Sequence, residues 1–150
     1  MESLLIHHPF LAGLDPRLHD FFNQCGSLRR FGSGQQIFHE GGTADHFYLI
    51  LNGEVALETF VPGCGMVTIQ RLGSGDSLGW SWLFPPHEWH FTATTSKPTE
   101  VISLDAASLR EAADKDLEFR AELMSRIAFT LVQRLQGTRM QLIDLYGIRP

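Results

Sequence analysis

A β-sandwich or roll flanked by helices is the fold class this sequence predicts, on two patterns. Between about residues 28 and 104 short apolar segments are punctuated by Gly32, Gly34, Gly41, Gly42, Gly53, Gly63, Gly65, Gly73, Gly75 and Gly79, the rhythm of short strands and tight turns. Beyond Asp105 glycine recurs only at Gly137 and Gly147, and helix formers take over. A chain of 150 residues, 43% hydrophobic and 19% charged, can bury one core, so a single domain over residues 1–150 is expected.

Each element has a local reason. Phe10, Leu11, Leu14, Leu18, Phe21 and Phe22 recur at three- and four-residue spacings, and Asp15-Pro16 offers an N-cap followed by proline in the first helical position. This places a short helix at about 16–24 inside an N-terminal helical part at about 10–27. His7-His8, ahead of Pro9 near the terminus, are expected at the solvent surface. Phe47 to Leu51 runs into Asn52-Gly53 and then the alternating Glu54 to Glu58, which predicts a hairpin with a type I′ turn. Met66 to Gln70 and Glu100 to Leu104 read as further strands, and Cys64, between Gly63 and Gly65, as a turn residue.

After the β zone, Asp105 is an N-cap for a helix over Ala106 to Ala113. Leu117, Ala121, Met124, Ala128, Leu131, Leu135, Thr138, Leu142 and Leu145 then alternate steps of four and three, a narrow heptad seam. Phe119, Leu123 and Ile127 form a second stripe that could cover the β zone. About thirty helical residues span about 45 Å at 1.5 Å each, more than so small a domain covers alone. Part of the seam therefore needs a partner, and a second copy of the chain is the simplest one. Met124, Ala128, Leu131, Leu135, Leu142 and Leu145 are the expected dimer interface.

Several functions are disfavoured. With a net charge of −5 and no basic run beyond Arg29-Arg30, the chain lacks the electrostatic footprint of a nucleic-acid binder. Cys25 and Cys64 are the only cysteines and stand in no CxxC or Cys/His cluster, so neither a disulfide framework nor an iron–sulfur site is expected. The opening MESLLIHHPF is neither signal peptide nor anchor, and no apolar run is long enough for a membrane helix. A cytoplasmic location with reduced thiols is the expectation. His87-x-x-His90 has metal-like spacing, but Pro85-Pro86 ahead of it points to an irregular loop and no third ligand is spaced to join; no metal is expected. Neither a GxSxG nor a P-loop motif occurs, and no enzymatic activity is expected.

The residues from Gly34 to Val55, with Ile37-Phe38, Gly41-Gly42, Ala44-Asp45, Phe47-Tyr48 and Asn52-Gly53 in that order, resemble the first half of the cyclic-nucleotide-binding domain of the CRP/FNR regulators. Leu72-Gly73-Ser74-Gly75-Asp76-Ser77-Leu78-Gly79 is similar to the approach to that family's phosphate-binding cassette, and the long helix, with Gln133-Arg134-Leu135-Gln136, to its dimer helix. The resemblance covers roughly residues 10–147. It implies a mainly β fold with flanking helices: a double-stranded β-helix, jelly-roll-like β-roll over about 28–104, then C-terminal helices over 105–147 ending in a long dimerisation helix. It also implies a winged helix-turn-helix beyond that helix, where this chain reads Gly147-Ile148-Arg149-Pro150. Direct DNA binding by this chain is not expected; it acts through an unknown partner protein, or is a fragment of a longer regulator.

In the family a glutamate of the cassette takes the ribose hydroxyl and an arginine the cyclic phosphate. Here Trp80 follows Gly79 at the glutamate's place, and His90 or Phe91 stands at the arginine's, depending on one residue of loop length. Neither is a permanent bidentate cation. The expected ligand-binding residues are Gly79, Trp80, Ser81, Trp82, His90, Phe91 and Thr92. All three tryptophans fall between Gly79 and Phe91, where they line a pocket for a flat or apolar ligand or fill it themselves. The expected function is a non-catalytic, ligand-sensing regulatory module that binds cAMP weakly or not at all; the alternative is a degenerate roll serving as a dimerisation or protein-interaction scaffold. A cyclic nucleotide or another small molecule is the ligand class, and nothing in the spacing selects haem.

Overall fold

The computed structural model describes Leu5 and residues 7–147. They form two compact units, one up to residue 112 and one from 113 onward. In the first, a single 3-10 turn at Pro9–Leu11 leads to α1 (Pro16–Cys25), where the Asp15 carboxylate accepts from the Arg17 N–H at 2.9 Å. Eight strands follow: β1 (Gly26–Phe31), β2 (Gln36–Phe38), β3 (His46–Asn52), β4 (Glu54–Val61), β5 (Gly65–Gly73), β6 (Ser77–Leu78), β7 (Thr92–Thr95) and β8 (Thr99–Asp105). They make two antiparallel four-stranded sheets, ordered β1-β8-β3-β6 and β2-β7-β4-β5. The fold is the β-roll of the family resemblance.

Burial explains the strands' composition. Phe47, Tyr48, Leu49 and Ile50 of β3 are all buried, because both faces of that strand are covered. Phe47 meets Phe10 of the N-terminal turn with ring centres 5.2 Å apart, while Tyr48 stacks towards Phe38 of the other sheet at 6.1 Å. A strand covered on both sides reads as a continuous apolar run rather than an alternation. Val55, Ala56 and Leu57 of β4, with Phe38, Leu72 and Ala93, belong to the second sheet's share of the core, and Val101, Ile102 and Leu104 of β8 to the first sheet's.

Two expectations are corrected. Asn52-Gly53 does not close a hairpin: β3 is already hydrogen-bonded to β8 on one side and β6 on the other, so β4 leaves for the second sheet and the dipeptide turns a corner. The true hairpin is β4–β5, closed at Pro62-Gly63-Cys64, with Cys64 in the turn as expected. His8 is not at the surface but 3% exposed, with both ring nitrogens in hydrogen bonds to backbone.

α2 (Ala106–Lys115) starts where Asp105 accepts from the Ser108 N–H at 2.9 Å and from its hydroxyl at 2.6 Å. These bonds hold the Asp105 carboxyl below its usual pKa. In the second unit, α3 (Leu117–Leu145) is capped by Asp116, whose carboxylate accepts from the Glu118 and Phe119 N–H groups. Phe119, Leu123 and Ile127 are buried. Among the expected interface residues, Met124 and Leu131 are half-buried, whereas Ala128, Leu135, Leu142 and Leu145 are exposed in the single chain. Among the described residues no helix is long and apolar enough to cross a membrane.

Candidate functional site

Gly79 sets the shape of the cassette. Its φ of +89° lies in the left-handed region, and a Cβ there would stand 2.6 Å from the Trp89 ring, so a side chain is excluded by conformation and by space. Past Gly79 the chain makes a 3-10 turn at Ser81–Leu83 and returns through Trp89, His90 and Phe91 into β7. The return is extended, not helical: Thr43 bridges Glu88, and the Trp89 N–H donates to the Gly42 carbonyl at 2.8 Å. His87 and His90 therefore do not share a helical face, and among the described residues no three His, Cys, Asp or Glu side chains gather as metal ligands.

The expected site residues divide. Trp80, Ser81, His90 and Phe91 come together: the Trp80 ring stacks on His90 with centres 4.9 Å apart, Phe91 meets Trp80 edge-on at 5.9 Å, and Ser81 Oγ lies 2.7 Å from His90 Nδ1 in a hydrogen bond. Trp82 and Thr92 lie elsewhere. Trp82 is fully buried, with its ring 5.5 Å from Phe47, and Thr92 is buried with its hydroxyl accepting from the Glu40 N–H at 3.0 Å. Trp89 also belongs to the core, stacked on Phe38 at 3.7 Å. Of the three tryptophans only Trp80 stays partly exposed outside the core.

Charge is sparse here. No lysine or arginine occurs between Arg71 and Lys97, so the cassette carries no permanent cation of its own. Arg110, which no local sequence signal connects to the cassette, reaches back from α2 and donates from Nη1 to the Trp82 carbonyl at 2.7 Å. It caps the carbonyl end of the 3-10 turn. It also lines a cavity of about 310 Å³ with Asp45, His87, Glu88 and Asp105. Such an arrangement can stack a flat ring on Trp80 and offer the polar edges of Ser81 and His90, but its own residues offer an anion no fixed positive charge, and the guanidinium that reaches it, that of Arg110, is bonded to the Trp82 carbonyl.

Known proteins align with this picture. The family model described as cyclic nucleotide-binding domain matches residues 28–116. A CRP-like cAMP-activated global transcriptional regulator of Mycobacterium tuberculosis is 29% identical over 146 residues, which cover 97% of this chain and 63% of the relative. The chain thus spans less than two thirds of that relative's length. Among solved structures, a cyclic nucleotide-binding protein from Geobacter metallireducens superposes with a TM-score of 0.80 at 27% identity, over 89% of this chain and 97% of the other. The Thermus thermophilus catabolite activator protein gives 0.71 at 25% identity, over 93% and 63%.

Proposed function

The chain belongs to the cyclic nucleotide-binding domain family, and from that membership we propose a non-catalytic, ligand-sensing regulatory module with weak or absent binding of cAMP. One observation carries the reading: where the family resemblance puts a carboxylate and a guanidinium this chain has Trp80 and either His90 or Phe91, and these three rings pack against one another. Hydrogen bonds to charged groups contribute about 1.5–3 kcal/mol each, so lacking both costs about 3–6 kcal/mol, roughly two to four decades of affinity. Stacking of a base on Trp80 recovers about 1–3 kcal/mol. The module works as a homodimer through α3, the roll receiving the ligand and the helix pair changing geometry in response.

Calorimetric titration with cAMP and cGMP tests this. The expected result is no binding tighter than about a tenth of a millimolar, and the paired change Trp80→Glu with His90→Arg is expected to improve cAMP affinity by at least about tenfold. A wild-type dissociation constant of about a micromolar, −8.2 kcal/mol, overturns the reading. Thermal melts with cyclic dinucleotides and haem extend the search; a specific ligand at a hundred times its dissociation constant adds about 2.7 kcal/mol. Stabilisation by none of them favours the scaffold reading, in which Trp80, His90 and Phe91 only pack against one another.

A further inference from the structure

His8 sits outside the cassette yet is tied to the chain that enters it. The Phe10 N–H donates to His8 Nδ1 at 3.1 Å, and His8 Nε2 donates to the Ile50 carbonyl at 3.0 Å. The neutral tautomer protonated on Nε2 satisfies both bonds. A second proton would set an N–H on Nδ1 against the Phe10 N–H, donor facing donor, in a site where the imidazole is 3% exposed.

Ile50 is a shared anchor. Its carbonyl also accepts from the Gly75 N–H at 3.0 Å, and its N–H donates to the Asp76 carbonyl at 2.9 Å. One residue of β3 therefore holds both the N-terminal arm and the Gly73–Asp76 turn, which continues through β6 into Gly79 and Trp80. Pro9 of the arm lies close beside that turn: a Cβ on Gly75 would stand 3.1 Å from Pro9 Cγ. A second route runs through rings, from Phe10 to Phe47 at 5.2 Å and from Phe47 to Trp82 at 5.5 Å.

We propose that His8 is a proton-responsive clamp: as a neutral imidazole it fastens the N-terminal arm to β3 beside the turn that leads into the cassette, and protonation loosens that fastening. Burial lowers the His8 pKa from the usual 6.5, opposed by hydrogen bonding at Ile50 and Asp76 and by the Asp76 charge. The other titratable neighbours are His7 on the arm and Glu100 on β8, which line a cavity of about 500 Å³ with His8. Glu100 is held ionised by Asn52 and Arg30. Because the docked state has the lower pKa, the released arm binds more protons. The clamp is complete above about pH 6.5 and weakens, about tenfold per unit of pKa separation, as pH falls from there towards the docked value. This inference needs no ligand and stands or falls apart from the reading of the cassette.

An NMR titration of the whole chain from about pH 8 to pH 5 tests it. The expected result is a His8 imidazole that titrates below 6.5, with the Phe10, Gly75 and Asp76 amides shifting at the same midpoint. His8→Gln keeps a donor and an acceptor but cannot titrate in this range, so the shared transition should vanish while the fold persists at pH 8. Asp76→Asn should keep the shared transition but move its midpoint further down, because the Asp76 charge opposes the lowering. A wild-type His8 midpoint at or above 6.5, amides that ignore His8, or a transition that survives His8→Gln would each overturn the proposal. The wild-type titration alone is decisive if either variant fails to fold.

Discussion

Gly79 is a residue at which this chain has little freedom. Alanine there would need a left-handed backbone and would drive its Cβ into the Trp89 ring, itself sandwiched against Phe38. The two costs together amount to about 2–5 kcal/mol. Urea unfolding of Gly79→Ala measures it, and a loss under about 1 kcal/mol would mean that Trp89 yields easily. Residue type alone did not sort the tryptophans. Trp80, Trp82 and Trp89 all lie between Gly79 and Phe91, yet Trp82 turns to Phe47, Trp89 to Phe38, and only Trp80 faces His90. The partners stand more than thirty positions earlier in the sequence for the two core rings, so no local pattern could assign them.

Among elements, α3 carries the most testable surface. Leu135 is 69% exposed and Leu145 78% exposed in the single chain, at the seam spacing that predicts a second copy. Because Leu135 is open, a glutamate there leaves the isolated chain undisturbed, so any effect of Leu135→Glu reports association. Sedimentation is expected to show a dimer for the wild type at micromolar concentration and a monomer for the variant. A wild-type monomer under those conditions removes the dimer from the proposed function. The caps show why two helix starts were legible: Asp15 and Asp105 each accept from a backbone N–H within three residues, and a cap is a local interaction, as is the Asp116 cap of α3 that the structure adds. The Asn52-Gly53 corner shows the opposite. Its turn chemistry is that of a hairpin, but the partners of β3 come from β8 and β6, far along the chain.

For the molecule as a whole, the two free thiols offer a probe of cooperative unfolding. Cys64 is exposed in the β4–β5 turn, whereas burial pushes the Cys25 thiol from 9.0 up to about 11. That shift leaves about a hundredfold less thiolate, partly offset by the greater nucleophilicity of a high-pKa thiol, for a net slowing of about tenfold. Alkylation followed by mass spectrometry at pH 8 should label Cys64 first and reach Cys25 at its full rate only where urea unfolds the chain. Comparable native rates at both positions would show that α1 opens locally without global unfolding.

Period, capping and glycine placement by themselves determined the sequence of elements: a short helix opened by Asp15-Pro16, a β zone from about 28 to 104 against an observed 26–105, and a helix after Asp105 followed by a longer one. Each of these signals acts within a few residues, so the chain carries it wherever the rest folds. The motif order from Gly34 to Gly79 likewise marked the family, because turns and buried positions of the roll recur at set spacings. Only the tertiary structure decided which sheet β4 joins, which tryptophan faces the cassette, that Arg110 caps the Trp82 carbonyl, and that His8 is buried against Ile50. Those outcomes depend on contacts between residues tens of positions apart, where the deciding quantity is which partner leaves fewest polar groups unpaired and least space unfilled.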